Sequence, residues 1–283
     1  MAERPIVVLE RRTGWVSIDF AELWRYRELA WTLALREILI RYKQSILGVA
    51  WAVIQPFMTM VVFTVLFSVL LGRNALPTAA GIPYAVSTYC ALLPWQLFSQ
   101  SVTRASLSIV NNQNLITKVY FPRPIIPLAP VLAALVDFVV AFAVFVLLMF
   151  WYHVTPGLGI FALPFLTLFA VLTALAMSLW LSALNALYRD IQHVVPFLVQ
   201  ILMYVSPILY SAQSVLHGKP SWITFLYWLN PLSCVAEGFR WALLRTPRPP
   251  GYAIACSVIG IAILTFSGLF VFKRIEKRFA DVV

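Results

Sequence analysis

From Val131 to Met149 the chain carries a single charged side chain, Asp137, in an otherwise apolar run. A helix that crosses a bilayer needs about 20 mostly apolar residues. In lipid the backbone must satisfy its own hydrogen bonds, so only helices and closed barrels qualify. A barrel strand would alternate apolar and polar residues, and this run does not. The rest of the chain agrees: of 283 residues 61% are hydrophobic and 11% charged, with a mean hydropathy of +0.86, against about 25% charged in soluble domains. Polar surface is too scarce to cover a water-soluble globule, which excludes a soluble enzyme, a disordered chain and a disulfide-stapled secreted domain. The expectation is an all-α membrane protein.

Six segments are long and apolar enough to span: roughly 46–71, 84–106, 125–151, 160–187, 194–212 and 252–272. The charged first 18 residues lack the apolar core of a cleavable signal. With a cytoplasmic N-terminus, fifteen Lys and Arg fall inside and five outside (Arg73, Lys219, Arg240, Arg245 and Arg248), and Arg104 sits near the inner end of the second span. The positive-inside rule therefore puts both termini in the cytoplasm. The net charge of +10 is accounted for by topology and lipid headgroups, and no nucleic-acid partner is expected. Cys90, Cys234 and Cys256 show neither ligand spacing nor a required disulfide.

The segments divide into a cytoplasmic tail (1–18), an interface helix (19–44) and a single transmembrane domain (45–283). In the second, Phe20, Leu23, Trp24, Trp31, Leu35, Ile38, Leu39 and Tyr42 recur at helical spacing, with Arg25, Arg36 and Arg41 among the polar positions and Asp19 and Glu22 as a capping box. A basic, Trp-bearing helix of this kind lies in the membrane interface; packing as a soluble helix on a partner protein is the alternative. Gln55 and Pro56 interrupt the first span, either as a kink satisfied by neighbours or as pore lining. The connection at about 108–122 is polar, then amphipathic, then stopped by Pro122 and Pro124, and it suggests a short exposed cytoplasmic helix. Between about 220 and 245 two short apolar helices meet at Asn230-Pro231, with Glu237 and Arg240 spaced to pair. They describe a re-entrant hairpin on the outer face before the last span, or a hairpin lying flat on the leaflet. Asp137 is expected to be a protonated or hydrogen-bonded structural acid rather than part of a transport path. Arg104 is a poor partner for it, since helical rise puts it about 10–15 Å nearer the cytoplasm.

The chain has no phosphate-binding Gly-x-x-x-x-Gly-Lys-Ser/Thr loop, no His-Glu-x-x-His metal cluster and no Gly-x-Ser-x-Gly elbow. No enzyme, metal or cofactor is expected of it.

Several strings go further. Arg41-Tyr-Lys-Gln-Ser-Ile-Leu-Gly48 with Trp51 and Gln55-Pro56, Leu93-Pro-Trp95, Asn114-Leu-Ile-Thr-Lys-Val-Tyr-Phe-Pro-Arg123, Leu135-Val-Asp-Phe138, Tyr188-Arg-Asp-Ile191, Ser206-Pro207 and Leu229-Asn-Pro-Leu232 occur in order. Together they resemble the permeases of type-2 ABC exporters that move O-antigen, capsule and teichoic acid. The resemblance implies a homodimer with two separate ATPase subunits that bind the ATP and Mg, and a lipid-linked polysaccharide as substrate. It implies that Asn111, Asn112, Asn114, Leu115, Ile116, Lys118, Tyr120 and Phe121 form the coupling helix on the ATPase, with Arg189 and Asp190 as a second contact. It places the chain in the inner membrane, the hairpin at the outer mouth, and the pore between protomers. Trp51, Gln55, Phe57, Trp95, Phe98, Tyr204 and Tyr210 are the channel-lining candidates, because sugars stack on aromatic faces. The rival expectations are an ABC permease for a drug or free lipid, a membrane-bound glycosyl- or acyltransferase, and a passive channel.

Overall fold

A computed structural model describes residues 20–43, 48, 50–71 and 82–276, all helix and connections with no strand among them. The tail at 1–18, Asp19 of the capping box, Arg73 and the segment after Glu276 lie outside the described residues. The helices are α1 (Phe20–Arg25), α2 (Arg27–Lys43), α3 (Ala50–Leu71), α4 (Tyr84–Asn111), α5 (Gln113–Lys118), α6 (Ile125–Trp151), α7 (Leu163–Leu187), α8 (Ile191–Val205), α9 (Ala212–Leu216), α10 (Ser221–Leu229), α11 (Pro231–Leu244) and α12 (Gly251–Glu276). A 3-10 turn over Leu158–Ala162 leads into α7.

Four stretches meet both length and hydropathy requirements for a span: Ala50–Val69, Ile125–Trp151, Leu158–Leu187 and Gly251–Glu276. The other two expected spans fall short for different reasons. Helix α4 is 28 residues long but polar for a span, and it is buried along most of its length, including Ser87, Thr88, Ser101, Ser106 and Ser108. Enclosed by protein, it need not be apolar enough to face lipid. Helix α8 stops at Val205 after 15 residues, about 22 Å at the helical rise and short of the roughly 30 Å hydrocarbon core. Pro207 disfavours the helical conformation at Ser206, which is extended instead.

The main core gathers α4 against α6, α7 and α11, with Tyr89 stacked on Phe145 at 5.9 Å and Phe138 edge-on to Phe239 at 6.1 Å. A second core closes one end of the bundle, where Ala30, Leu33, Ile116, Phe121, Ile126 and Phe272 meet. At that end Arg123 donates to the Glu276 carbonyl. The opposite end holds α9, α10, α11 and the 3-10 turn, fastened by Arg245 to the Pro156 carbonyl at 3.0 Å and by the Tyr84 hydroxyl to the Leu209 carbonyl at 2.8 Å.

The expected single helix over 19–44 is broken at Tyr26 into α1 and α2. The face of α2 packed on the bundle is Ala30, Leu33 and Ala34, whereas Trp24, Trp31, Leu35 and Leu39 point outward. Small residues give the closer approach to α6, so the large apolar face marked by periodicity is the outer one. Helix α3 continues through Pro56.

One close approach between helices depends on a glycine of α12. A Cβ on Gly260 would lie 2.1 Å from the Leu229 carbonyl oxygen at the end of α10, whereas one on Gly251 would meet nothing within 4 Å. Gly260→Ala is therefore expected to cost about 1–3 kcal/mol and to lower the melting temperature of the detergent-purified protein, with Gly251→Ala as the unaffected control.

Candidate functional site

Two polar assemblies and one exposed surface carry most of the chemistry. The first assembly lies at the end of the bundle that holds α9–α11. After α8 the chain runs irregularly through Ser206, Pro207, Ile208 and Leu209, all buried. Irregular backbone at membrane depth has to find partners within the protein, and Arg240 of α11 supplies them. Its Nη1 donates to the carbonyls of Pro207 (2.6 Å) and Tyr210 (3.0 Å), its Nη2 to Ile208 (2.7 Å), and its Nε to Ser87 of α4 at 3.4 Å. Glu237, three residues earlier, pairs with Arg240 at 3.1 Å and accepts from the Ala212 backbone N–H at 2.6 Å. The Asn230 side chain accepts from the Leu232 N–H at 3.1 Å, capping α11, and donates to Ser206 Oγ at 2.9 Å. Pro231 sits at the first position of α11, where a missing N–H costs nothing. The Glu237–Arg240 pairing expected from spacing is present. Its greater task, holding four carbonyls, carries no sequence signal because those acceptors are backbone.

The second assembly joins α2 to α4 and α6. Asp137 lies twelve residues into α6, about 18 Å along it. It forms an ion pair with Arg41 and accepts from the Tyr42 hydroxyl. The acid is thus hydrogen-bonded as expected, but its cation comes from the helix assigned to the interface. Arg41 also donates to Gln100 Oε1 of α4 at 3.3 Å. Five residues earlier, Arg36 donates to the Asn112 side-chain oxygen, and the Asn112 amide in turn donates to the Ser108 carbonyl at 2.7 Å. Tyr42 was read from sequence only as part of the apolar face of 19–44, and Gln100 was not singled out, although a lone acid in a span already demands a partner.

The exposed surface is formed by the α4–α5–α6 connection and the α7–α8 turn. Asn111, Asn114, Lys118 and Tyr120 are exposed there, as are Tyr188, Arg189 and Asp190; Leu115 is half-buried. Asn112, Ile116 and Phe121 are buried. Expected as contacts, these three instead anchor the connection to the bundle, since one side of a six-residue helix must pack.

The channel candidates divide as well. Trp51, Gln55 and Tyr204 are exposed, and Phe57 and Tyr210 are partly buried. Trp95 (4% exposed) and Phe98 (1%) belong to the core, with their rings tilted against each other at 5.7 Å. They are corrected from channel lining to packing, because the face of α4 that carries them is buried against its neighbours. Phe98 borders an apolar cavity of about 300 Å³ where α7, α8 and α12 meet the Asn230-Pro231 joint.

A bundle of apolar helices with four stretches fit to cross a bilayer is the build of an integral membrane protein. Residues 28–244 match the model of the ABC-2 type transporter family, and the chain belongs to that family. Among its relatives, the O-antigen export system permease protein RfbA of Klebsiella pneumoniae is 30% identical over 249 residues, 88% of this chain and 92% of its own. The Myxococcus xanthus protein of the same name is 27% identical over 93% of this chain and 98% of its own. The polysialic acid transport protein KpsM of Escherichia coli is 27% identical over 87% and 92%.

Removing the Arg240 guanidinium leaves Glu237 without its cation and the carbonyls of Pro207, Ile208 and Tyr210 without this donor. Arg240→Met is expected to cost about 3–5 kcal/mol, measured as lost thermal stability in detergent, and Arg248→Met, at an exposed position, close to nothing.

Proposed function

We propose that this chain is the membrane-spanning subunit of an ATP-driven exporter that carries lipid-linked polysaccharide, O-antigen in the first instance, across the inner membrane. The observation that carries the proposal is likeness over most of the chain to permeases named for O-antigen and polysialic acid transport. In this reading two copies of the chain work with two ATPase subunits. The six spans are α3, α4, α6, α7, α8 completed by the irregular chain that follows it to about 212, and α12; α1 and α2 lie in the inner interface, and α10–α11 re-enter from the outer face. Both termini are cytoplasmic. The count of fifteen basic residues against five supports that orientation. So does the packing of α2, α5 and the end of α12 at one end of the bundle.

The ATPases dock on Asn111, Asn114, Lys118, Tyr120, Arg189 and Asp190, all exposed at that end. The pore lies between protomers. Supporting this, Trp51, Gln55, Met58 and Val62 form one exposed stripe on α3, and His193, Phe197, Gln200 and Tyr204 form another on α8. Amides and a histidine on the outer face of a span are costly against lipid and suit a polar path or a second protomer. Aromatic faces beside amides hold a sugar polymer by stacking and scattered hydrogen bonds.

Depleting the protein from its host and analysing lipid-linked glycans in the cytoplasmic fraction tests the function. Polymer on a lipid carrier is expected to accumulate, while surface glycan falls. Normal surface glycan with no accumulation overturns the proposal and favours a drug or free-lipid permease. For the docking surface, Lys118→Glu with Tyr120→Ala is expected to weaken co-purification of the ATPase about tenfold at unchanged permease level.

A further inference from the structure

We infer that Asp137 is the catch of a latch that holds the last turns of α2 in the bundle, and that export requires this latch to be made and released. The inference rests on the transport reading above and assigns Asp137, Arg41 and Tyr42 as positioning residues within it.

Helix α2 is held in two different ways along its length. Its first half buries Ala30, Leu33 and Ala34. From Leu35 to Lys43 no residue is buried, and Leu35, Leu39 and Ile40 face outward. The final turns therefore depend on polar ties: Arg36 to Asn112, Arg41 to Asp137 and Gln100, and Tyr42 to Asp137. Asn112 is the junction of α4 with α5, and Asp137 lies far along α6. One short stretch of α2 thus connects the turn proposed to receive the ATPase with the middle of a span.

The tie is built to exchange partners. Arg41 Nε and Nη2 are buried without a hydrogen-bond partner, so the guanidinium fork is only partly used, an uncommon condition for buried donors. Arg104 and Glu37 lie near enough for Arg104 to feel both Glu37 and Arg41. Glu37 also lies four residues before Arg41 on α2, the helical spacing for an ion pair, so the guanidinium can leave Asp137 for another carboxylate while Tyr42 still donates to Asp137. A buried ion pair adds little stability over apolar packing, and switching is among its best-attested uses.

The test uses the full permease–ATPase complex in lipid nanodiscs, with a nitroxide on Leu39→Cys, an exposed position of α2. In the wild-type background the label is expected to be more mobile when nucleotide is trapped than without it. In Asp137→Asn it is expected to be mobile already without nucleotide. In cells, Asp137→Asn is expected to lower export about tenfold, the size of a modest coupling, at equal complex level and with ATP hydrolysis retained. The exchange Arg41→Asp with Asp137→Arg is expected to recover part of that loss. A label indifferent to both nucleotide and Asp137→Asn overturns the latch. So does a parallel fall in export, hydrolysis and complex level that the exchange leaves uncorrected. The label in nanodiscs needs no glycan, so a label that responds as expected, together with no glycan accumulation on depletion in cells, would refute the polysaccharide reading and leave the latch standing.

Discussion

The guanidinium of Arg240 is the contact on which the α9–α11 end of the molecule depends. Pro207 ends α8 early, and the chain then turns through buried residues with no helix of its own to take up the carbonyls. Each such carbonyl left bare in lipid costs several kcal/mol, and one planar fork with five donors answers most of them at once. Because the fork sits on α11, the break after α8, the start of α9 through Glu237, and α4 through Ser87 share one fixed point. Lysine has no fork and would reach fewer of these acceptors.

The assembly around α2, which reaches from the α4–α5 junction to the middle of α6, is organised differently. There the contacts join side chain to side chain, at Arg36–Asn112, Arg41–Asp137 and Tyr42–Asp137, and they hold a helix with few buried residues. A guanidinium satisfied by backbone carbonyls cannot let go without unfolding the segment it serves. Paired side chains can separate and re-pair at lower cost, since each keeps the option of another partner or of water. Under the proposed function and the latch inferred above, the molecule has a fixed clamp at the α9–α11 end and a releasable one along α2, which suits a protein pushed from a single side.

The fold class was legible because apolar runs of more than 20 residues leave a chain no alternative. The joint between α10 and α11 was legible from Asn230-Pro231, and the Glu237–Arg240 pair from its helical spacing. The end of α8 was placed late, at 212 rather than Val205, because composition stays apolar across Ser206-Pro207 while conformation does not. The partner of Asp137 was not legible: Arg41 is 96 residues away, and periodicity within 19–44 describes faces of a helix without saying which face packs. The larger apolar face was the natural choice for packing in water, but next to a membrane the large residues face outward and the small ones allow close approach.

Trp95 and Phe98 show the same limit for the channel. Aromatic identity and position in a span are the same for them as for Trp51 and Tyr204, and only enclosure separates them. Helix α4 is the least apolar of the long helices and yet the most buried, so polarity within a span does not by itself mark a pore. It marks protein contact of any kind, whether a core, a partner or a substrate. What distinguishes Gln55, His193 and Gln200 is polarity combined with exposure on α3 and α8. Under the proposed function, a wall that carries a polymer of varying sequence needs only such sparse polar groups between aromatic faces, because dense polar lining would hold each sugar too firmly to let the next one advance.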